Sequence, residues 1–314
     1  MSASSLLILA AAFITLFASG GMLVRALTAI GRMVHVSEFA LAALLVAIAT
    51  SLPEFFVGIS SALSGVPSLS LGDLIGANVL NLTVILGIGI LLSGGIAFDR
   101  SMRISDFLAA LAVAVLPIIL ALDRVISRTD GIILLLACIV YFAVLLAFDR
   151  EPSEVNNVAS PAAERIFRES IRFVVGAFLL IVSSAIMVTL AAEGAIAFRL
   201  PILFVGILVA FGTTLPELVF AVMAARIRHG AMSLGNAVGT VAVNIGGILG
   251  FIALLRPIAI SEPLPAFLGM GVTVALMAAL AFLGLRKKSL SPSAGAFLVM
   301  VGVVFIVLET FLAL

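Results

Sequence analysis

The chain alternates long apolar stretches with short polar connections, and the length of each stretch decides what it is. A helix that crosses a bilayer needs about 20 mostly apolar residues. Ten such stretches follow one another, centred near Phe13, Ala49, Leu82, Ala112, Leu136, Leu180, Gly212, Ile245, Val274 and Val303. The connections leave no room for a soluble domain. The longest, "DREPSEVNNVASPAAER" from Asp149 to Arg165, is rich in Pro, Ser and Asn and reads as a polar linker between two halves. The first stretch, "LLILAAAFITLFASGGMLV", has no basic residue before it and reads as a first spanning helix rather than a cleaved leader. The expected fold is all-α, a polytopic membrane protein with ten transmembrane helices.

Composition agrees. Only 11% of the 314 residues are charged and mean hydropathy is +1.37, where soluble domains keep roughly 25% charged. Net charge is +1 and the basic residues are scattered between apolar stretches, so nothing points to nucleic acid. Cytoplasmic loops collect Lys and Arg; connections 1–2, 3–4, 5–6, 7–8 and 9–10 hold 13 of the 17. Both termini are therefore expected outside and the Asp149 to Arg165 linker inside. Cys138 is the only cysteine and lies in an apolar run, which excludes an internal disulfide and suggests a packed core thiol.

Two of the apolar stretches carry a polar interruption of the same kind, "ATSLPE" from Ala49 to Glu54 and "GTTLPE" from Gly212 to Glu217. Thr50 and Thr213, Glu54 and Glu217, Gly72 and Gly235, Gly76 and Gly239, and Asn81 and Asn244 are all separated by 163 residues, with no gap. Each half then holds five helices, and an odd number makes the second half enter the membrane from the opposite side. The expected organisation is two inverted five-helix repeats, residues 1–148 and 168–314, joined by a cytoplasmic linker at 149–167. Inverted repeats are the architecture of secondary transporters, whose ion sites lie where the repeats meet.

The motif chemistry suits a hard cation. Pro53 and Pro216 cannot donate a backbone hydrogen bond, so carbonyls such as those of Ala49 and Gly212 should lose their partners, and a carbonyl freed in a membrane is tolerable beside an ion. Thr50 and Glu54, like Thr213 and Glu217, share a helix face. The next helix of each half adds amides and a hydroxyl: Asn78 and Asn81 in "GDLIGANVLNL", Thr240 and Asn244 in "GNAVGTVAVNI". Glycines at small-xxx-small spacing bring these helices close. The donors are all oxygen, which Ca²⁺ and Na⁺ prefer over the nitrogen and sulfur that zinc seeks. Two carboxylates balance one Ca²⁺, two Na⁺ or two protons. A lone intramembrane Glu can instead be protonated and bonded to a neighbouring helix, and a lone Pro can be a simple kink; two gapless copies in opposed orientation argue for a site.

These residues resemble the two α-repeats of the cation/Ca²⁺ exchanger superfamily, most closely its prokaryotic Na⁺/Ca²⁺ exchanger branch, whose pattern is roughly G-T-S-x-P-E followed by G-N-x-x-G-S-N-x-x-N or D. The resemblance implies that Glu54 and Glu217 bind Ca²⁺ directly and that Thr50 and Thr213 are ligands. It also implies that Ala47 and Ala210 offer backbone carbonyls, with Ser51 and Thr214 as the adjoining hydroxyls and Asn81 and Asn244 as the central amides. Three positions depart from the pattern. Ala77 replaces a serine that helps bind Na⁺, while its repeat partner Thr240 keeps a hydroxyl. Asn244 stands where some members carry Asp, leaving two carboxylates rather than three. Asp73 replaces the Asn of the first G-N pair and reads as a capping acid at the outer start of its helix.

The function expected is a secondary antiporter exchanging Ca²⁺ for Na⁺ by alternating access, with helices 1 and 6, which carry Gly20, Gly21 and Gly176, resembling the family's gating pair. The alternative on the same fold is Ca²⁺/H⁺ antiport; its branch usually shows G-N-A-x-E, and no acid follows Gly76 or Gly239 here. A passive channel fits a paired-Glu inverted repeat less well. An intramembrane enzyme is not expected: His35 and His229 fall at the cytoplasmic edge, and Lys287 and Lys288 sit in a loop. No cofactor is expected, and the partners are Ca²⁺ and Na⁺ or H⁺ as substrates, with membrane lipid around the helices. The expected location is the cell membrane of a prokaryote. The linker is too short for a Ca²⁺-sensing domain.

Overall fold

The computed structural model describes residues 5, 7–16, 18, 19, 22, 40, 42–98, 102–147, 163–226, 229–286 and 289–313, with the backbone alone at 163–167, 169, 170, 173, 177 and 180. Gly20, Gly21, His35, Lys287, Lys288 and the linker up to residue 162 lie outside the described residues; the end of the expected linker, from Ala163, is already helical. The helices are α1 (Leu7–Leu16), α2 (Ala42–Thr50 and Leu52–Leu63), α3 (Pro67–Ser93), α4 (Ile104–Asp123), α5 (Arg128–Ala147), α6 (Ala163–Phe198), α7 (Ile202–Arg226), α8 (Gly230–Leu255), α9 (Pro263–Leu285) and α10 (Pro292–Ala313). Among the described residues, α3 to α10 are each long and apolar enough to span a membrane, and α2 joins them as two half-helices bent by 48°. In hydrocarbon every backbone polar group needs an internal partner, which only helices and closed barrels supply. The protein is a nearly all-helical membrane protein of ten helices built as an inverted repeat, nine of them spans among the described residues when the bent pair of α2 is counted as one.

Small pairings at the two ends of the helices mark the pseudo-twofold. At one end β1 (Val125–Ile126) pairs antiparallel with β2 (Ile258–Ala259), and at the other Ile96 bridges Leu290. Ile96 and Ala259 are separated by the same 163 residues as the motifs. The helix contacts repeat in the same way. A β-carbon on Gly87 of α3 would lie 2.7 Å from the Gly295 carbonyl oxygen of α10, and one on Gly250 of α8 would lie 2.9 Å from that of Gly131 in α5.

Glycine also sets the closest crossings. A β-carbon on Gly72 of α3 would collide with the Leu203 carbonyl of α7, one on Gly206 with the Leu69 carbonyl of α3, and one on Gly239 of α8 with the Ala43 carbonyl of α2. Backbones this close hold α3 against α7 and α8 against α2. Consequently 83% of the α3 span and 78% of the α8 span are buried, against 17% for α10, so the polar residues of α3 and α8 face protein rather than lipid. The main apolar core joins α2 to α5 with α7 to α10. A second cluster stands apart from it, formed by Ala12 and Leu16 of α1 and Met187, Val188, Ala191 and Ala195 of α6, resting on Val57, Leu69, Val205 and Val209.

Candidate functional site

Both motifs break their helix in the same way. The first half of α2 ends at Thr50, Ser51 adopts φ −79° and ψ 4°, and the helix resumes at Leu52; the first half of α7 ends at Thr213, Thr214 adopts φ −81° and ψ 3°, and it resumes at Leu215. Pro53 and Pro216 thus fall in the first turn of a new half-helix, where a missing N–H costs nothing. Glu54 and Glu217 share that turn, where the helix dipole favours an anion. The break is narrow. The amides of Ser51 and Thr214 still donate to the carbonyls of Ala47 and Ala210, each at 3.0 Å. Each carbonyl also has a long contact from its motif Thr hydroxyl, Thr50 to Ala47 and Thr213 to Ala210 at 3.4 Å, and the Ala210 carbonyl alone accepts a third bond, from the Thr214 hydroxyl at 2.6 Å.

All twelve expected site residues are buried: Ala47, Thr50, Ser51, Glu54, Asn78, Asn81, Ala210, Thr213, Thr214, Glu217, Thr240 and Asn244. The halves interlock, with Thr213 beside the Glu54 carboxyl and Thr50 beside that of Glu217. The Asn244 amide donates to Asn78 Oδ1 at 3.1 Å, tying α8 to α3. Within the described residues, both oxygens of Glu54 and of Glu217, the Ser51 and Thr240 hydroxyls, both polar atoms of Asn81 and the Asn244 Oδ1 have no hydrogen-bond partner. No three His, Cys, Asp or Glu among the described residues converge to hold one ion. A cation here must therefore combine carboxylate with hydroxyl and amide oxygens. Wide π-helical turns run through Ala42–Val46, Asn81–Ile85 and Val243–Leu249, next to these groups; such turns recur at functional sites.

The structure corrects the reading of Asp73. It does not cap a helix: α3 begins at Pro67, with no side-chain cap, and Asp73 lies inside it, fully buried against Gly206 of α7. Its Oδ1 accepts a 2.9 Å hydrogen bond from the Thr213 hydroxyl, and Glu54 is its charged neighbour. The site therefore holds a third carboxylate, which "GDLIGANVLNL" displays but which a helix start placed too late turned into a cap. Asn236, the repeat partner of Asp73 163 residues on, was also missed; it is buried, with Oδ1 unpartnered among the described residues. The repeat offset was the signal that pointed to it. His229 precedes Gly230 at the start of α8, at the end of the span.

A family model described as sodium/calcium exchanger protein matches residues 4–147 and 170–311. The chain belongs to this family. An uncharacterized membrane protein of Methanocaldococcus jannaschii is 30% identical over 221 residues, 70% of this chain and 72% of that one. The sodium/calcium exchanger MaX1 of Methanosarcina acetivorans is 27% identical over 296 residues, 82% and 84% of the two chains. Among solved structures, the sodium-calcium exchanger NCX_Mj soaked with Na⁺ and Sr²⁺ superposes with a TM-score of 0.71 over 98% of this chain and 99% of that one, at 24% identity. That likeness speaks for the fold. As a member of the exchanger family the chain is an integral membrane antiporter of the cation/Ca²⁺ class.

Proposed function

We propose that this exchanger moves Ca²⁺ out of a prokaryotic cell in return for Na⁺ by alternating access, with both termini outside. One observation carries the reading: Glu54 and Glu217 are charged neighbours across the pseudo-twofold, each buried, each at the head of a half-helix, each beside the other motif's Thr and, among the described residues, each without a hydrogen bond to its carboxyl oxygens. An ionised carboxylate buried in this way costs several kcal/mol unless it is neutralised. The surrounding neutral oxygens of Thr50, Thr213, Asn81 and Asn244 suit a hard cation. One Ca²⁺ balances the pair, and so do two Na⁺, which makes them alternative occupants of one region. The relative MaX1 is itself named a sodium/calcium exchanger. The separate cluster of α1 and α6 supports a sliding pair whose movement opens the site to one side and then the other. Phe13 of α1 packs against Gly212, directly before Thr213, so that movement would reach the helix break.

Proton coupling is the second reading, because Ala77 offers no hydroxyl where Thr240 does. The two are separated by ⁴⁵Ca²⁺ uptake into proteoliposomes under an imposed Na⁺ or H⁺ gradient. Uptake is expected with outward Na⁺. Uptake with a pH gradient alone would establish the proton version, and saturating flux with no counter-ion would establish a channel.

A further inference from the structure

We infer that Asp73 is a third cation ligand of this chain, holding a monovalent cation between its second carboxylate oxygen, the Thr213 hydroxyl and Glu54, apart from the divalent position between Glu54 and Glu217. The inference deepens the exchanger reading and rests on it for the identity of the ions. A hydroxyl can ligate a cation only when its proton points elsewhere, and Thr213 gives its proton to Asp73 Oδ1 at 2.9 Å. The Thr213 oxygen is thereby turned toward an ion as an acceptor, beside Glu54. Among the described residues Asp73 Oδ2 is buried without a hydrogen-bond partner, as are both oxygens of Glu54. Glu54 is the larger charged neighbour of both Asp73 and Glu217, and Asp73 acts on Glu217 more weakly, so Glu54 stands between the two positions. Among the described residues no three acids are grouped to hold one ion, and Asp73 accepts from Thr213 while Glu217 has Thr50 beside it, so we assign the two acids to different ions.

The arrangement occurs on one side of the pseudo-twofold only. Asn236 occupies the position related to Asp73 and carries no charge, so the Thr50 hydroxyl, beside Glu217 and 3.4 Å from the Ala47 carbonyl, has no third carboxylate to take its proton as Thr213 has in Asp73. Ala77 likewise lacks the hydroxyl that Thr240 keeps. Asp73 and Ala77 lie one turn apart on α3, so the half that lacks this hydroxyl is also the half that gains a carboxylate, which relocates a monovalent site instead of abolishing it. Three carboxylates balance one divalent and one monovalent cation bound together.

The test is equilibrium binding of ²²Na⁺ and ⁴⁵Ca²⁺ to the purified full chain in detergent, with no gradient. Asp73→Asn keeps an acceptor for the Thr213 hydroxyl and removes only the charge. It is expected to weaken Na⁺ binding about tenfold or more, the weight of one charged partner, to lower the number of Na⁺ bound by one, and to change Ca²⁺ affinity by less than about threefold on the same scale. Asp73→Ser, which also removes the charge and keeps an oxygen, should weaken Na⁺ selectively as well and stands in if Asp73→Asn does not fold by thermal unfolding. Unchanged Na⁺ binding in the variant that folds, or equal losses of Na⁺ and Ca²⁺, overturns the inference. A wild-type chain that fails to exchange Ca²⁺ in proteoliposomes, while Asp73→Asn still loses Na⁺ selectively, would remove the transport reading and leave this site standing.

Discussion

Glu54 and Glu217 are the residues on which the transport reading depends, because a divalent ion in a dry site needs their charge. Glu54→Gln or Glu217→Gln keeps the shape and removes that charge, at a cost of several kcal/mol to ion binding. ⁴⁵Ca²⁺ exchange should collapse while the detergent-purified protein remains monodisperse; full Ca²⁺ transport in both variants would sink the reading. Ala77, buried with Leu80 and Ala210, tests the Na⁺ side. Ala77→Ser restores a hydroxyl worth about 1 kcal/mol if it forms one ordinary polar contact, so apparent Na⁺ affinity should rise with little change for Ca²⁺. An unaltered Na⁺ dependence would show that Ala77 faces no Na⁺. The paired Glu and Thr residues were legible because a carboxylate in an apolar run is conspicuous and its copy returns at a fixed offset. Asp73 was not, since a side chain's role depends on where its helix begins, and α3 begins at Pro67.

At the scale of elements, the molecule is assembled by backbone contact rather than by large side chains. Gly72→Ala would drive a methyl group into the Leu203 carbonyl of α7, and a packed interface resists such overfilling by about 1–3 kcal/mol. Its thermal unfolding should therefore occur at clearly lower temperature than that of wild type. Gly271 in α9 is the control: a β-carbon there meets nothing within 4 Å, and Ala favours a helix interior over Gly by about 0.5–1 kcal/mol, so Gly271→Ala should unfold at the same or a higher temperature. The small-xxx-small spacing announced close approach in α3 and α8. It could not announce the π-helical turns at Asn81–Ile85 and Val243–Leu249, because one extra residue per turn is invisible in a uniformly apolar run. The helix breaks were half legible: proline foretold a disturbance, and the structure shows it as two half-helices with Pro53 and Pro216 in the opening turn.

For the whole molecule, orientation is the open quantity, and the basic residues predict it. Ser261, between β2 and α9, and Ser289, between α9 and α10, are both exposed and lie on opposite sides of one span. In a Cys138→Ala background, Ser261→Cys should react with a membrane-impermeant thiol reagent on intact cells, and Ser289→Cys only after permeabilisation. The reverse pattern would invert the topology. The number of spans, the two inverted halves and the paired acidic motifs followed from the amino-acid sequence alone, because apolar length, charge placement and a 163-residue offset are properties of the chain itself. The tertiary structure alone decided which groups meet: Thr213 donates to Asp73 across 140 residues of chain, Asn244 donates to Asn78, and each motif Thr lies beside the other motif's Glu. Those meetings depend on how far one helix is shifted along another. That shift is set where Gly72, Gly206 and Gly239 let backbones touch, a property of pairs of helices that neither helix carries by itself.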